Sequence, residues 1–226
     1  MEVTVNTLWS TPILSVKNPD HAKIKPALVE HCHALEKRAS TPIESGITPQ
    51  IKGNLYESRF DFFRNTQVPE VQALRQFCGT ALSRAVFRLF QQNNPGRPLP
   101  AQVGCDLFES WVHVTRDGGY HEAHYHPNCS WCGIYYLETG DATLNPTNGV
   151  NRFFPSVRTL YEDFGSAAFN QNAISVPPEE GTLVLFPSYV EHSATPYRGT
   201  RERIVISFNS RVIAQQQAPQ GAPARP

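Results

Sequence analysis

Residues 181–209, GTLVLFPSYVEHSATPYRGTRERIVISFN, decide how the chain is read. Both ends are short apolar, β-branched runs, and Pro, Gly, Ser and Thr break the middle, which is the grammar of strands and turns. Alternation in the second run puts Arg203, Val205, Ser207 and Asn209 on one face and Ile204, Ile206 and Phe208 on the other. An arginine on a strand whose opposite face is apolar points into something that needs a cation. A small carboxylate, gripped by two parallel hydrogen bonds, is the natural occupant. Upstream, the first strand runs into a loop that delivers His192, eleven residues before Arg203.

The same grammar extends back to residue 103. DLFESWVHVT (106–115) alternates, WCGIYYLE (131–138) is aromatic and β-branched, and AISVPPEEGTLVLFP (173–187) holds two apolar runs joined by a Pro/Gly turn. The N-terminal half is different. Residues 3–16 alternate weakly and read as an early strand or extended arm broken by Ser10-Thr11-Pro12. After Asn18-Pro19-Asp20, the spacing of Ile24, Leu28, Cys32 and Leu35 predicts a helix, with His21, His31 and His33 as polar positions on its surface. A strand is expected within NLYESRFDFF (54–63). A second helix over 68–93 has Pro69 in its first turn and an apolar stripe through Val71, Leu74, Cys78 and Leu82.

These patterns give a mainly β chain with N-terminal helices, a β-sandwich or jelly roll buttressed by those helices. We divide it into one domain, 1–213, with strand and helical support over 1–100 and the jelly-roll core over 101–213. Residues 214–226, AQQQAPQGAPARP, read as a disordered low-complexity tail. Residues 145–172 form a long irregular insert, which in a compact domain is more often functional than idle.

The segment 118–138, GGYHEAHYHPNCSWCGIYYLE, collects three of the chain's 8 histidines and two of its 5 cysteines. His124 and His126 leave the same face of a strand, forming half of a metal site, and His192 is the one histidine further along the chain to complete it. His121 stands at odd spacing from His124 and points elsewhere on a regular strand; it takes the place of His126 if the strand is irregular. Glu122 is out of phase with both and is read as a solvent or loop residue. Cys129-x-x-Cys132 has no second pair and reads as a turn thiol and a strand thiol near the site.

HYHPNCSWCGIYYL (124–137), followed by GTLVLFPSYVEHSATPYRGTRERIVISFN, resembles the Fe(II)/2-oxoglutarate-dependent oxygenases. It is most similar to a small group of them with a His-x-His…His pattern, and the likeness is good from about 105 to 210. The resemblance implies a double-stranded β-helix, a cupin-like jelly roll, with His124 and His192 as iron ligands. His126 stands where the wider superfamily has Asp or Glu, which would give a centre of three neutral imidazoles with one more positive charge. Arg203 would hold the distal carboxylate of 2-oxoglutarate, Ser207 is the nearest hydroxyl along that face, and strand parity nominates Tyr135 over Tyr136 as a further donor. The implied cofactors are Fe(II), 2-oxoglutarate and O2. The implied reaction oxidises, most readily hydroxylates, an unactivated C–H with release of succinate and CO2.

A small molecule, amino acid or peptide is the expected substrate. Trp111 and Trp131 are read as core or pocket walls, and Phe153 and Arg158 as substrate contacts from the insert. Two rival readings stand beside this one. A cupin-type three-His dioxygenase without 2-oxoglutarate leaves Arg203 without a role and lacks the glutamate of the first cupin motif. A non-catalytic jelly-roll binding module leaves the ligand-type residues unexplained.

Charge narrows the partners: Lys+Arg and Asp+Glu balance at 20 each, with no basic run, so nucleic acid is not expected. No apolar run is long enough for a membrane helix, no secretory signal is legible, and an odd cysteine count fits reduced thiols. A cytoplasmic protein is the resulting expectation, and a homodimer is one oligomeric state open to it.

Overall fold

In the computed structural model, which describes residues 10–46, 48–64, 67–156, 163–167 and 172–215, the strands form two antiparallel sheets. In chain order the elements are β1 (Leu14–Lys17), α1 (His21–Arg38), β2 (Ile51–Lys52), β3 (Leu55–Glu57), α2 (Pro69–Asn93), β4 (Gln102–Thr115), β5 (Tyr120–His124) and β6 (Trp131–Glu138). They continue with β7 (Asn151–Phe153), α3 (Phe164–Ala167), β8 (Ile174–Val176), β9 (Thr182–Pro187), β10 (His192–Ala194) and β11 (Arg203–Gln215). One sheet has the order β1-β9-β6-β11-β4-β3 and the other β2-β5-β10-β7-β8.

The six-stranded sheet is buried on both faces. Toward α1 and α2 it presents Val112, Val114, Tyr135, Leu137, Leu185, Ile204, Ile206 and Phe208, which pack on Leu28, Leu74, Cys78 and Leu82. Each fully buried leucine of this kind contributes roughly 1.5–3 kcal/mol. Toward the five-stranded sheet it presents Ile134, Tyr136, Val184, Phe186 and Val205, packed against Phe153. The layers are therefore helices, sheet, sheet, and this is a double-stranded β-helix core supported by helices. Burial on both faces is also why β6 reads as a continuous apolar run rather than an alternating one. Gly133 on that strand is obligatory: an added Cβ would lie 2.2 Å from Phe208 Cζ on the facing strand.

Several expectations need correction. Of the early strand expected over 3–16, the part after the Ser-Thr-Pro break is seen as β1, where Leu14–Lys17 finds a complete antiparallel partner in β9; residues 1–9 lie outside the described residues. The insert is not irregular throughout: Asn151–Phe153 is a strand inserted between β10 and β8. β11 runs two residues into the expected tail, with Ala214 and Gln215 paired to Val103 and Gln102; residues 216–226 lie outside the described residues. His31 is buried beside Phe62 rather than exposed. No helix among the described residues is long and apolar enough to cross a membrane.

Candidate metal and keto-acid site

Between the sheets is a cavity of about 410 Å³ into which both contribute side chains. His124 ends β5, His126 follows it in the loop, and His192 opens β10, directly across the ladder from His124. One ring nitrogen from each lies within 4.8 Å of the others. The rings of His124 and His192 are 4.3 Å apart, and His126 lies 5.0 Å from His124 and 5.3 Å from His192.

The tautomers are fixed by the backbone. His124 Nδ1–H donates to the Glu122 carbonyl at 2.9 Å and His192 Nδ1–H to that of Val190 at 3.0 Å. Their Nε2 lone pairs are thereby left for a metal, the usual outer support of an imidazole ligand. Burial, then the neighbouring imidazoles, holds His192 well below its usual pKa and takes His126 down to about 4. Burial is also the main cause of the lowered value of His124. The three rings are neutral at physiological pH and ready to ligate. Phe186 and Phe153 pack on His192 at 4.7 and 6.0 Å and hold it in place.

Arg203, Val205, Ser207 and Asn209 all border the same cavity, as the alternation of β11 requires. Arg203 is only 3% exposed. Its Nη2 donates to Asn151 Oδ1 at 3.0 Å, its guanidinium faces the Tyr136 ring at 5.6 Å, and its Nε is buried with no partner. Among the described residues no carboxylate lies within ion-pair reach of it, and burial pulls its pKa below the usual value. A buried cation without an anion costs several kcal/mol. Gly149, at φ +58°, lets the β7 side approach this guanidinium: a Cβ there would meet Tyr197 Cδ2 at 3.1 Å and Arg203 Cδ at 3.4 Å. The cradle fits a small dicarboxylate, and three neutral imidazoles on one side of the cavity fit a divalent iron.

Residues 109–209 match the model of a family described as "Putative 2OG-Fe(II) oxygenase". The matched stretch carries the three histidines and Arg203. The fold is shared with several solved structures. A prolyl-4-hydroxylase from Pseudomonas putida superposes with a TM-score of 0.54 at 17% identity, covering 93% of this chain and 96% of that one. The non-heme α-ketoglutarate-dependent carbocyclase SnoK from nogalamycin biosynthesis gives 0.59 at 13% identity, covering 93% and 84%. A prolyl hydroxylase from Trichoplax adhaerens, solved with a hypoxia inducible factor peptide, gives 0.50 at 13%, covering 87% and 83%. No curated protein matches the sequence. At these identities the likeness is one of fold.

The two sheets bring together His124, His126, His192, Arg203, Ser207 and Trp111 around one cavity. Tyr135 is a correction. It faces the helices, where its hydroxyl meets His21 Nδ1 at 2.8 Å and Asn18 Nδ2 at 3.2 Å. Tyr136 is the tyrosine on the cavity side of the strand, donating to Asn151 Oδ1 at 2.8 Å, because β11 pairs Val205 with Tyr136 across a bulge. Trp131 shares the parity of Tyr135 and packs with the helical core, so it is no pocket wall. Phe153 is 2% exposed and supports His192 from behind rather than meeting a substrate. Arg158 lies outside the described residues, as do Tyr161 and Phe169 of the insert.

Sequence reasoning missed Asn151 and Glu57 and ranked Tyr136 behind Tyr135. It also set His121 aside, yet a register shift where β5 pairs with β10 brings its ring 4.2 Å from that of His124. The cysteines of Cys129-x-x-Cys132 are free thiols, sulfurs 3.5 Å apart, with Cys132 at the cavity wall. A larger apolar groove of about 660 Å³ lies between β1 and α2, on the opposite face of the six-stranded sheet from the histidines.

Proposed function

We propose that this chain is a non-haem Fe(II)- and 2-oxoglutarate-dependent oxygenase acting on an unactivated C–H of a small molecule, amino acid or peptide, most readily by hydroxylation. The observation that supports it best is the pairing of a buried, anion-less Arg203 with three converging neutral imidazoles in one cavity. A cupin-type centre without a keto acid has no use for that guanidinium.

In this reading His124, His126 and His192 hold the iron. Bound there with 2-oxoglutarate and O2, the metal centre supplies the oxidising power while the keto acid is split to succinate and CO2. The residues of the chain bind and orient. Arg203 neutralises the far carboxylate of 2-oxoglutarate, Asn151 and Tyr136 keep the guanidinium aimed, and Ser207 stands ready to donate one more hydrogen bond from the same face. Val205, Ile134 and Phe186 line the cavity with apolar surface that excludes water. Trp111 packs at a tilt against His126, ring centres 5.9 Å apart, and lines the cavity.

The test is turnover. Purified chain supplied with Fe(II), ascorbate and 2-oxoglutarate in air should form succinate without a prime substrate at a slow rate. His192→Ala and Arg203→Met should abolish it. Iron binding without any succinate, in the presence of a panel of amino acids and peptides, would leave this function without support.

A further inference from the structure

A second cluster of metal-ligating groups borders the same cavity. Glu57 ends β3 and His113 lies opposite it in the β3–β4 ladder, while His121 enters from β5 of the other sheet. One carboxylate oxygen and one ring nitrogen from each histidine lie within 4.8 Å of one another. Glu57 is 1% exposed and His121 7%.

The surroundings suit ligation. Glu57 Oε1 accepts hydrogen bonds from the hydroxyls of Ser45 and Thr48, which fix the carboxyl plane and leave Oε2 facing His113 Nε2 at 2.8 Å. His121 repeats the arrangement of the three-histidine centre: its Nδ1–H donates to the Glu122 carbonyl at 3.3 Å. Among the described residues its Nε2 makes no hydrogen bond. A buried Glu–His pair alone accounts for two of the three side chains and leaves that imidazole without a purpose.

We propose that Glu57, His113 and His121 form a second divalent-metal site beside the three-histidine centre, taking a first-row transition ion through two imidazoles and one carboxylate. Two nitrogens and one oxygen suit Fe(II), Mn(II), Co(II) or Zn(II) rather than Ca(II) or Mg(II). On binding, the proton between His113 Nε2 and Glu57 moves to His113 Nδ1 or to solvent, and the freed lone pair and Oε2 meet the ion. The Glu57 charge offsets one of the ion's two. This lowers its repulsion toward a neighbour in the first centre, beyond the His121 and His124 rings. The site stands on its own side chains and does not depend on a 2-oxoglutarate reaction.

Anaerobic equilibrium dialysis of the tag-free, metal-stripped chain against Co(II), with metal counted by mass spectrometry, tests it. The wild type should retain two equivalents. Glu57→Gln, which keeps the shape of the side chain, and His121→Asn should each retain one, or bind the second ion roughly 10–100-fold more weakly. His192→Ala should also retain one, and Glu57→Gln combined with His192→Ala none. One equivalent in the wild type, unchanged by Glu57→Gln and by His121→Asn, overturns the second site. One equivalent lost in Glu57→Gln but kept in His192→Ala supports it and removes the three-histidine centre instead. Circular dichroism checks folding; should Glu57→Gln unfold, His121→Asn decides.

Discussion

Replacing Arg203 with methionine should separate ligand binding from stability, in opposite directions. The guanidinium is 3% exposed, its Nε is unpartnered, and no carboxylate among the described residues offsets its charge. The substitution removes a contact with the Tyr136 ring, worth about 1 kcal/mol, and one hydrogen bond to Asn151, worth about 1.5–3 kcal/mol. It also removes the burial cost of an ion, several kcal/mol after relaxation, and an unmet donor costing about 1–3 kcal/mol. Asn151 Oδ1 keeps its bond from Tyr136, so no new orphan is created. The ligand-free variant should therefore be as stable as the wild type or about 1 kcal/mol more so, a rise in Tm of roughly 2–4 °C for a domain of this size. With Mn(II) in place of iron, 2-oxoglutarate at a hundred times its Kd should stabilise the wild type by about 2.7 kcal/mol and leave the variant unmoved. Differential scanning fluorimetry with and without the keto acid reads both effects. A variant that loses 3 kcal/mol or more without ligand, yet still responds to 2-oxoglutarate, would refute the reasoning.

Three more outcomes follow from the same geometry. Tyr136→Phe should raise the KM for 2-oxoglutarate about fivefold by losing a bond of about 1 kcal/mol behind Arg203, whereas Tyr135→Phe should leave KM alone and cost about 1 kcal/mol of stability; steady-state kinetics and urea unfolding distinguish them. Gly133→Ala should destabilise the chain by about 1–3 kcal/mol, since the added Cβ meets the Phe208 ring, and an unchanged urea midpoint would contradict the packing. In chelator, stability should fall as pH drops from about 6.5, because burial, followed by nearby imidazoles, holds His121 down to about 2 and His126 to about 4, while the unfolded chain protonates them near the ordinary value. The unfolded state then binds more protons, and each histidine contributes a slope of up to about 1.4 kcal/mol per pH unit until its folded value is reached. A flat profile between pH 6.5 and 4.5 would contradict it.

What the sequence made legible was local. Alternation along β11 needs no partner to be read, and it sorted Arg203 and Ser207 from Ile204 and Ile206. The helix of 69–93 likewise announced Val71, Leu74, Cys78 and Leu82 as its buried stripe. Register was not legible. Tyr135 and Tyr136 sit in a strand buried on both faces, so no polar residue marks a side, and the bulge that pairs Val205 with Tyr136 is a property of two strands together. Asn151 and Glu57 come from three-residue strands whose context is loop-like, too short for any periodicity. His121 was misjudged because the ladder of β5 and β10 shifts register between its position and that of His124.

In the proposed function His124, His126 and His192 would hold one iron, and Arg203 would hold the far carboxylate of 2-oxoglutarate. The most direct measurement is anaerobic visible absorption of the chain with Fe(II), before and after 2-oxoglutarate. A charge-transfer band should appear when both are present, persist in Glu57→Gln, and vanish in His192→Ala. No band in the wild type, or one that survives loss of His192, would contradict the account.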